Sequence, residues 1–483
     1  MLVMKFGGSS VESAKAIQRV AAIVRDHSER HPAVVVSAMG KTTDRLLAMA
    51  RLSASGNRQA TAQQLARLRQ SHQTEAAYLA RAAEAIRLDK QIGGLFDELE
   101  RELREIAEAG ALTPRLSDAV LSYGERLSSV IVTAGFRQAG IDAVHLDARA
   151  AIVTDSRHTQ AAPLLIETNA RLRRKVSSEQ VTVMGGFIGA TEDGVTTTLG
   201  RGGSDYTAAI VAAALAADEI QIWTDVEGML TCDPRVVSNA HCLRSISYAE
   251  AEQMAKAGAK VLHPATVLPA VRQGIPIVIC NSRNPGAPGT RIISQSPCDG
   301  AVMSIACRTG VAMLQLVPRN TPVTADFGND IWDAFQKAEI QFELLATSSK
   351  ELSVVTDAAA LTPGFMNRLL ALAEVEVQEE RALVTLVGQN ASRNPANLTR
   401  ASQQLRKLPG GAVPGWCSDS RFAFLVAADA LIAAAEALHN EFFGQPDPAF
   451  FIPDRASVQM ATFPATPISL KPRPLEIWQP SKN

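Results

Sequence analysis

The sequence predicts an α/β chain: an open, mostly parallel sheet between helices over residues 1–295, then two smaller α+β modules of βαββαβ type over 300–444, and a proline-rich tail over 445–483. Three observations point there. Short apolar runs alternate with helical stretches through the first part, which is the pattern of a parallel sheet covered on both faces. After residue 300 the rhythm shortens to strands with single helices. Beyond Gln445 the chain carries Pro446, Pro448, Pro453, Pro464, Pro467, Pro472, Pro474 and Pro480, a composition that favours extended backbone over a packed core.

In order, "LVMKF", "VESAKAIQRVAAIVRDHSE" and "AVVVSAM" read as strand, helix and strand, a βαβ unit with a glycine turn after the first strand. From Asp44 to Ala111 the chain is rich in Ala, Leu, Glu, Arg and Gln at helical spacing, so a helical excursion is expected. Strand-like runs return at "AVHL", "VTVMGGFIGA", "EIQIWTDV" and "PIVICN", with the helices "DYTAAIVAAALAA" and "AEAEQMAKAGA" among them. The punctuated stretch "NSRNPGAPGTRI" closes the domain, with its boundary at Ser294–Gly300. The second half then reads "VAMLQLVP", helix "DIWDAFQKAEI", "FELLATS", "ELSVVTD", helix "GFMNRLLALAE", "VEVQ", "ALVTLVG", helix "NLTRASQQLRKL", "FAFLVAA" and helix "LIAAAEALHNEFF".

With 483 residues, 46% of them hydrophobic and 20% charged, the chain can bury substantial cores. Its 48 basic and 49 acidic residues leave a net charge of -1, so no global field favours nucleic acid or an anionic membrane, and neither is expected as a partner. The six cysteines stand singly without a C-x-x-C pair, which fits reduced thiols in a cytoplasm better than a disulfide frame or a zinc site. No stretch reaches the roughly 18 apolar residues of a membrane helix. A cytoplasmic protein is expected.

Two motifs mislead. "SAMGKTTD" holds the G-K-T of a phosphate loop, but Val35 stands where its first glycine belongs, and the loop cannot wrap a phosphate. "ADFGND" spells Asp326-Phe327-Gly328 without the upstream catalytic loop and strand lysine that give such a triplet meaning.

The chemistry lies elsewhere. Lys5 ends a buried strand and is followed by Gly7, Gly8 and Ser9 at a helix start, a fixed cation beside backbone N–H groups that suits a phosphate. The plainer alternative is a lysine snorkelling to solvent beside an ordinary turn. In "TTTLGRGGSDYTAA", Arg201 offers a fork for a carboxylate and Asp205 a partner for an ammonium, together matching the two ends of an α-amino acid. Asp205 as a helix N-cap is the alternative, and it leaves Arg201, Gly202 and Gly203 without a reason. "WTDVEGMLTCDPR" sets Thr224, Asp225, Asp233 and Arg235 beyond a strand end, where open α/β sheets bind ligands, and "AGAKVLHP" adds Lys260. "SYGERLSS" puts Glu125 within a helix, either to hold a substrate ammonium or as a surface pair with Arg126 of little consequence.

Taken together and in this order, "KFGGSSV", "GRGGSDYTA", "TDVEGM", "DPR" and "AKVLHP" resemble the aspartokinases, of the amino-acid kinase fold, over nearly all of the first 293 residues. The resemblance implies Mg2+-dependent transfer of a phosphoryl group from ATP to the side-chain carboxylate of L-aspartate, giving 4-phospho-L-aspartate, the entry to the lysine, threonine and methionine family of amino acids. A carboxylate is already ionised near neutral pH, so no general base is needed; the reaction asks for charge neutralisation and the alignment of two anions. By the same resemblance Lys5, Arg201 and Asp205 form the catalytic set. Lys5, Gly7, Gly8, Ser9, Thr224, Asp225, Leu230, Arg235, Lys260 and Val261 line the ATP. Arg201 clamps the substrate α-carboxylate, Glu125 and Asp205 lie near its ammonium, Ser37 and Thr43 line the pocket, and Ser204 is a further substrate-binding residue. Magnesium bridges the ATP phosphates with few protein ligands of its own. Leu230 stands where the family usually carries tyrosine, an aromatic wall for the nucleotide.

Sister kinases acting on glutamate, N-acetylglutamate or a nucleoside monophosphate fit the R-G-G-S-D stretch and the second half less well. A regulatory protein that had lost turnover would lack the lysines or Arg201, and these are present. In aspartokinases the second half is a tandem of ACT domains that forms a dimer interface and binds lysine or threonine. "FELLATSSKELSVVTD" resembles the effector strand–turn–strand, which makes Phe342, Glu343 and Ser348 the effector residues. "NTPVTADFGND" lacks the family pattern, Glu343 replaces the aspartate of lysine-sensitive members, and Lys350-Glu351 reads as an insertion. An ammonium pocket responds to one extra methylene on its acid, so lysine inhibition does not follow automatically. A homodimer through these modules is implied.

Overall fold

Near-continuous runs of buried β-branched and aliphatic residues build the first sheet, and a computed structural model describes residues 1–258, 264–296, 298–319 and 322–452. In chain order the first half comprises β1 (Leu2–Phe6), α1 (Ala14–Arg25), β2 (Ala33–Val36), α2 (Thr42–Ala54), α3 (Arg58–Ala77), α4 (Ala82–Ala109), α5 (Pro114–Gln138), β3 (Ala143–Leu146), α6 (Leu165–Lys175) and β4 (Val181–Gly185). It continues with the hairpin β5 (Ile188–Ala190) and β6 (Thr196–Thr198), then α7 (Gly203–Leu215), β7 (Glu219–Thr224), β8 (Cys242–Leu243), β9 (Ser245–Ser247), α8 (Tyr248–Lys256), α9 (Leu268–Arg272), β10 (Ile277–Asn281) and β11 (Thr290–Ile293). The eight-stranded sheet runs β3-β4-β2-β1-β7-β10-β11-β9, and its one antiparallel step is β10–β11.

The expected βαβ opening and helical excursion are present as β1-α1-β2 and α2–α4. Strand alternation sorts the two faces. Leu2, Met4 and Phe6 enter a core with α1–α5, while Val3 joins Val35, Met184 and Ile222 in the core with α7. Lys5 shares the face of Val3, so the central strand aims its cation at the α7 side.

The second half holds β12 (Ser304–Pro318), α10 (Ala325–Lys337), β13 (Phe342–Thr347), β14 (Leu352–Asp357), α11 (Pro363–Leu372), β15 (Ala373–Val387), α12 (Pro395–Leu405), β16 (Val413–Ser418), β17 (Arg421–Ala427), α13 (Leu431–Phe443) and β18 (Phe451–Ile452). Six of these strands form one antiparallel sheet, β13-β14-β12-β15-β17-β16. The two βαββαβ rhythms are present, but nested rather than consecutive. Ser304–Arg308 pair with Leu383–Val387, whereas Val311–Pro318 pair with Ala373–Arg381, so the first module is inserted within the second. "VEVQ" and "ALVTLVG" are accordingly one strand, interrupted by a register shift at which Glu380 takes a φ of +54°. β16 went unread because Pro414 and Gly415 resemble a loop; on an edge strand the missing N–H of proline disrupts no ladder. The tail is described as far as Ile452, where β18 pairs with β8, and its expected extended course beyond lies outside the described residues. Among the described residues no helix is long and apolar enough to cross a membrane.

Candidate active site

β1, β7 and β10 end side by side, and the loops leaving them are stitched together. Gly7 N donates to Trp223 O at 3.0 Å, Gly40 N to Gly8 O at 3.0 Å, Ser37 N to Phe6 O at 3.0 Å and Ser282 N to Thr224 O at 2.8 Å. Ser10 Oγ and Ser282 Oγ lie 2.8 Å apart and join the first loop to the last. A side chain at Gly8 would meet Ala38 O at 2.9 Å and Gly40 O at 3.0 Å, which is why the turn after Lys5 needs glycine.

Lys5 Nζ lies 2.7 Å from Asp205 Oδ1, with the two side chains only 12% and 16% exposed. That partner removes the snorkelling alternative. It also removes the capping alternative, because the N-cap of α7 is Gly202 at φ +69° and Asp205 sits within the first turn. The contact falls outside hydrogen-bond geometry, so it is an ion pair of two groups held close by the strand and the helix. The helix start reaches β1 because of a second glycine pair that sequence reasoning ran into one long strand. β4 stops at Gly185, and a side chain at Gly186 would lie 2.7 Å from the Ser204 Cα. Phe187 follows at φ +64°, its N–H donating to Thr207 Oγ1 at 3.0 Å. Ser204 is buried at this contact.

Arg201 is exposed, in a turn between Gly200 at φ +77° and Gly202 at φ +69°. The strand leading into it is held by Asp118 of α5, a fully buried carboxylate. Asp118 accepts from Thr198 Oγ1 at 2.6 Å, from Thr159 N at 2.9 Å and lies 3.0 Å from His158 Nδ1. A lone acid in a helical run carries no motif, and Asp118 was not read from the sequence.

Glu125 is buried, and its Oε1 accepts from Ala38 N at 3.1 Å while Oε2 has no partner. Burial pushes its carboxyl up to about 8, against the lowering effects of the Ala38 N–H and the Lys5 charge. A side chain at Gly124 would be 2.8 Å from the Ala38 Cβ and 3.7 Å from Thr43 Oγ1, so glycine lets α5 press Glu125 against the Ser37–Thr43 segment. Glu125 is no surface partner of Arg126. Arg126 Nη2 bonds Glu98 Oε2 at 2.6 Å, with its guanidinium 4.3 Å from the centre of the Tyr123 ring.

On the opposite side, Thr224 Oγ1 donates to Asp225 Oδ1 at 3.2 Å at the end of β7, and both residues are half-buried. Ser9 is half-buried in the turn after β1. Arg235 is exposed and engages Asp233 through Nε at 3.0 Å and Nη2 at 2.6 Å. Leu230 bridges Cys242 through its backbone. Lys260 and Val261 lie outside the described residues. No group of three His, Cys, Asp or Glu able to hold a metal occurs among the described residues.

The effector residues are not gathered into one pocket within the chain, because neighbours on a strand face opposite ways. Phe342 packs beneath α10, its ring 4.3 Å from Phe335 and 5.4 Å from Trp332. Glu343 meets Arg308 Nη1 at 3.2 Å and Arg421 Nη2 at 3.3 Å. Ser348 Oγ accepts from Lys350 N at 3.2 Å and Glu351 N at 3.1 Å, so the extra residues belong to a serine turn.

Residues 1–281 match the amino acid kinase family. Lysine-sensitive aspartokinase 3 of Escherichia coli (strain K12) is 35% identical over 406 residues, 81% of this chain and 88% of the relative. A crystal structure of E. coli aspartokinase III in complex with lysine and aspartate (T-state) matches with a TM-score of 0.79 and 31% identity, covering 92% of this chain and 99% of that one. The structure of the same E. coli enzyme with aspartate and ADP (R-state) matches with a TM-score of 0.77 and 32% identity, over 92% and 100% of the two chains. The chain belongs to the amino acid kinase family and, within it, to the aspartokinases.

Proposed function

We propose that the Lys5–Asp205–Glu125 cluster binds L-aspartate and the terminal phosphate of MgATP, and that transfer of the γ-phosphoryl group to the side-chain carboxylate occurs there. The observation that carries this reading is the unpartnered Glu125 Oε2, a buried acceptor whose ionisation awaits a cation. The substrate ammonium supplies it. Arg201, exposed and mounted between two glycines, takes the α-carboxylate through its planar fork. Lys5, at the end of the central strand, neutralises the charge that builds on the transferring phosphoryl oxygens, and the N–H groups of Gly8 and Ser9 face the same anion. Asp205 keeps the Lys5 ammonium aimed. Ser37, Thr43 and Ser204 line the aspartate side.

To the nucleotide side we assign Thr224, Asp225, Leu230 and Arg235, and, on sequence resemblance alone, Lys260 and Val261. Magnesium enters with the nucleotide as MgATP. For the second half we assign contact with a second copy to the outer strands β13 and β16, where Leu344 and Val413 are 47% and 44% exposed. The lysine in the E. coli complex raises the question of feedback here, and the pairing of Glu343 with two arginines argues that lysine binds this chain weakly if it uses that carboxylate.

The test is hydroxylamine trapping of the acyl phosphate with MgATP and either L-aspartate or L-glutamate. Hydroxamate that depends on aspartate supports the assignment; hydroxamate with glutamate alone overturns the substrate while leaving the phosphoryl site.

A further inference from the structure

The stretch that carries Asp233 and Arg235 is the tip of a hairpin. Thr231 N donates to His241 O at 2.9 Å and Leu243 N to Met229 O at 2.8 Å. Both edges of that hairpin are held by the second half of the chain. On one side Phe451 and Ile452 of β18 pair with Leu243 and Cys242, and Arg244 N donates to Phe450 O at 2.9 Å. On the other, Ile305 N donates to Thr231 O at 2.7 Å, and Ser304 Oγ lies 3.1 Å from Leu230 O. These are the first residues of β12, which runs on into the centre of the six-stranded sheet. The nucleotide hairpin and the second sheet are thus joined by a strand that belongs to both.

One side chain stands out at this junction. His439 of α13 is fully buried, and its Nε2 lies 2.8 Å from Thr231 Oγ1, which also accepts from His241 N at 2.8 Å. Its Nδ1 has no partner, and the His241 ring lies 5.5 Å away. A leucine would pack among Ala434, Ala435, Leu438 and Phe443 without stranding a buried nitrogen. What the imidazole adds is a bond to the base of the hairpin.

We infer that His439 is a positioning residue for the nucleotide: by holding Thr231 it fixes the hairpin that presents Asp233 and Arg235, and it ties ATP affinity to the seating of α13. The inference rests on reading this hairpin as a wall of the ATP site, and the test separates the two.

The full chain is compared with its His439→Leu, His439→Gln, Thr231→Val, His439→Leu/Thr231→Val and Arg235→Ala variants, measuring both KM values and kcat. Losing one neutral hydrogen bond corresponds to roughly a fivefold to tenfold change. His439→Leu is expected to raise the KM for MgATP by that factor, and Thr231→Val, which also strands His241 N, by at least as much, each leaving kcat and the KM for aspartate within about twofold. The double variant is expected to be no worse than Thr231→Val alone, and His439→Gln, with an amide nitrogen in reach of Thr231, to recover most of the His439→Leu loss. If His439→Leu does not fold, Thr231→Val and His439→Gln carry the test. An unchanged KM for MgATP, equal rises in both KM values, or additive effects would overturn the inference. A rise in His439→Leu with none in Arg235→Ala would sustain the hairpin link and remove Arg235 from the nucleotide wall; the reverse pattern would keep the wall and remove His439.

Discussion

Binding of L-aspartate is expected to expel a proton from Glu125. In the free protein burial raises this carboxyl from its ordinary 4.5 to about 8. The difference corresponds to about 5 kcal/mol against the buried anion, of which one unpartnered oxygen is the visible sign. At pH 7 a group titrating near 8 is about 90% protonated. An ammonium arriving at Oε2 reverses the preference, and if it brings the value below about 5, some 0.9 proton leaves per aspartate bound. Only the ionised fraction is competent, so the Kd for aspartate should fall about tenfold from pH 6 to 7, about fivefold from 7 to 8, and level off above. Titration calorimetry in two buffers of different ionisation enthalpy reads the proton directly, and Glu125→Gln should abolish both the buffer dependence and the slope. The same group sets a stability trend. Its folded value lies above its unfolded one, so its contribution is fully present below 4.5 and is lost as pH rises through about 8. Saturating aspartate should flatten that trend. Wild-type binding that is independent of pH and buffer would refute the reasoning, as would an unaltered slope in Glu125→Gln.

Three further outcomes follow from the geometry. Lys5→Ala should lower kcat by roughly 10²–10³ with the KM for aspartate within about threefold, and a change confined to KM would contradict a role at the phosphoryl group. Asp118→Asn weakens the bonds to Thr198, Thr159 and His158; chemical denaturation should find the chain about 2 kcal/mol less stable, and the KM for aspartate should rise as the strand before Arg201 loosens. Lysine titration of activity should show weak inhibition of the wild type and stronger inhibition of Arg308→Ala, which frees one side of Glu343; inhibition of the wild type at micromolar lysine would show that the arginines yield readily.

The catalytic sheet was legible because a parallel sheet covered on both faces writes itself as apolar runs, and the lysine and glycines of "KFGG" sit at a strand end that such runs locate. Arg201, Asp205 and Glu125 were found through chemistry and order along the chain, yet the ion pair between Lys5 and Asp205 was not, since it joins residues that only the crossover between β1 and α7 brings together. Gly186 and Asp118 escaped for a similar reason. A glycine required by the close approach of Ser204, and an acid satisfied by three distant donors, have no local signature. In the second half local pattern identified most strands but not their connection. Period-two alternation is the same whether "VEVQ" and "ALVTLVG" are two strands or one, and the face on which Glu343 finds two arginines depends on pairing partners far along the chain.

The nested sheet bears on how this protein folds. The strand halves at Ser304–Arg308 and Leu383–Val387 can meet only when the whole intervening segment brings its ends together, and the inserted module, by pairing Val311–Pro318 with Ala373–Arg381, does so. Forming the inner module first shortens the loop that the outer one must close, which lowers the entropic barrier to the later step. An inner module formed first would hold the two outer strand halves close together and in register for pairing. The inner module is one contiguous stretch of chain, whereas the outer one has its strand halves on either side of that insertion, so a truncation after Arg381 severs the outer module alone.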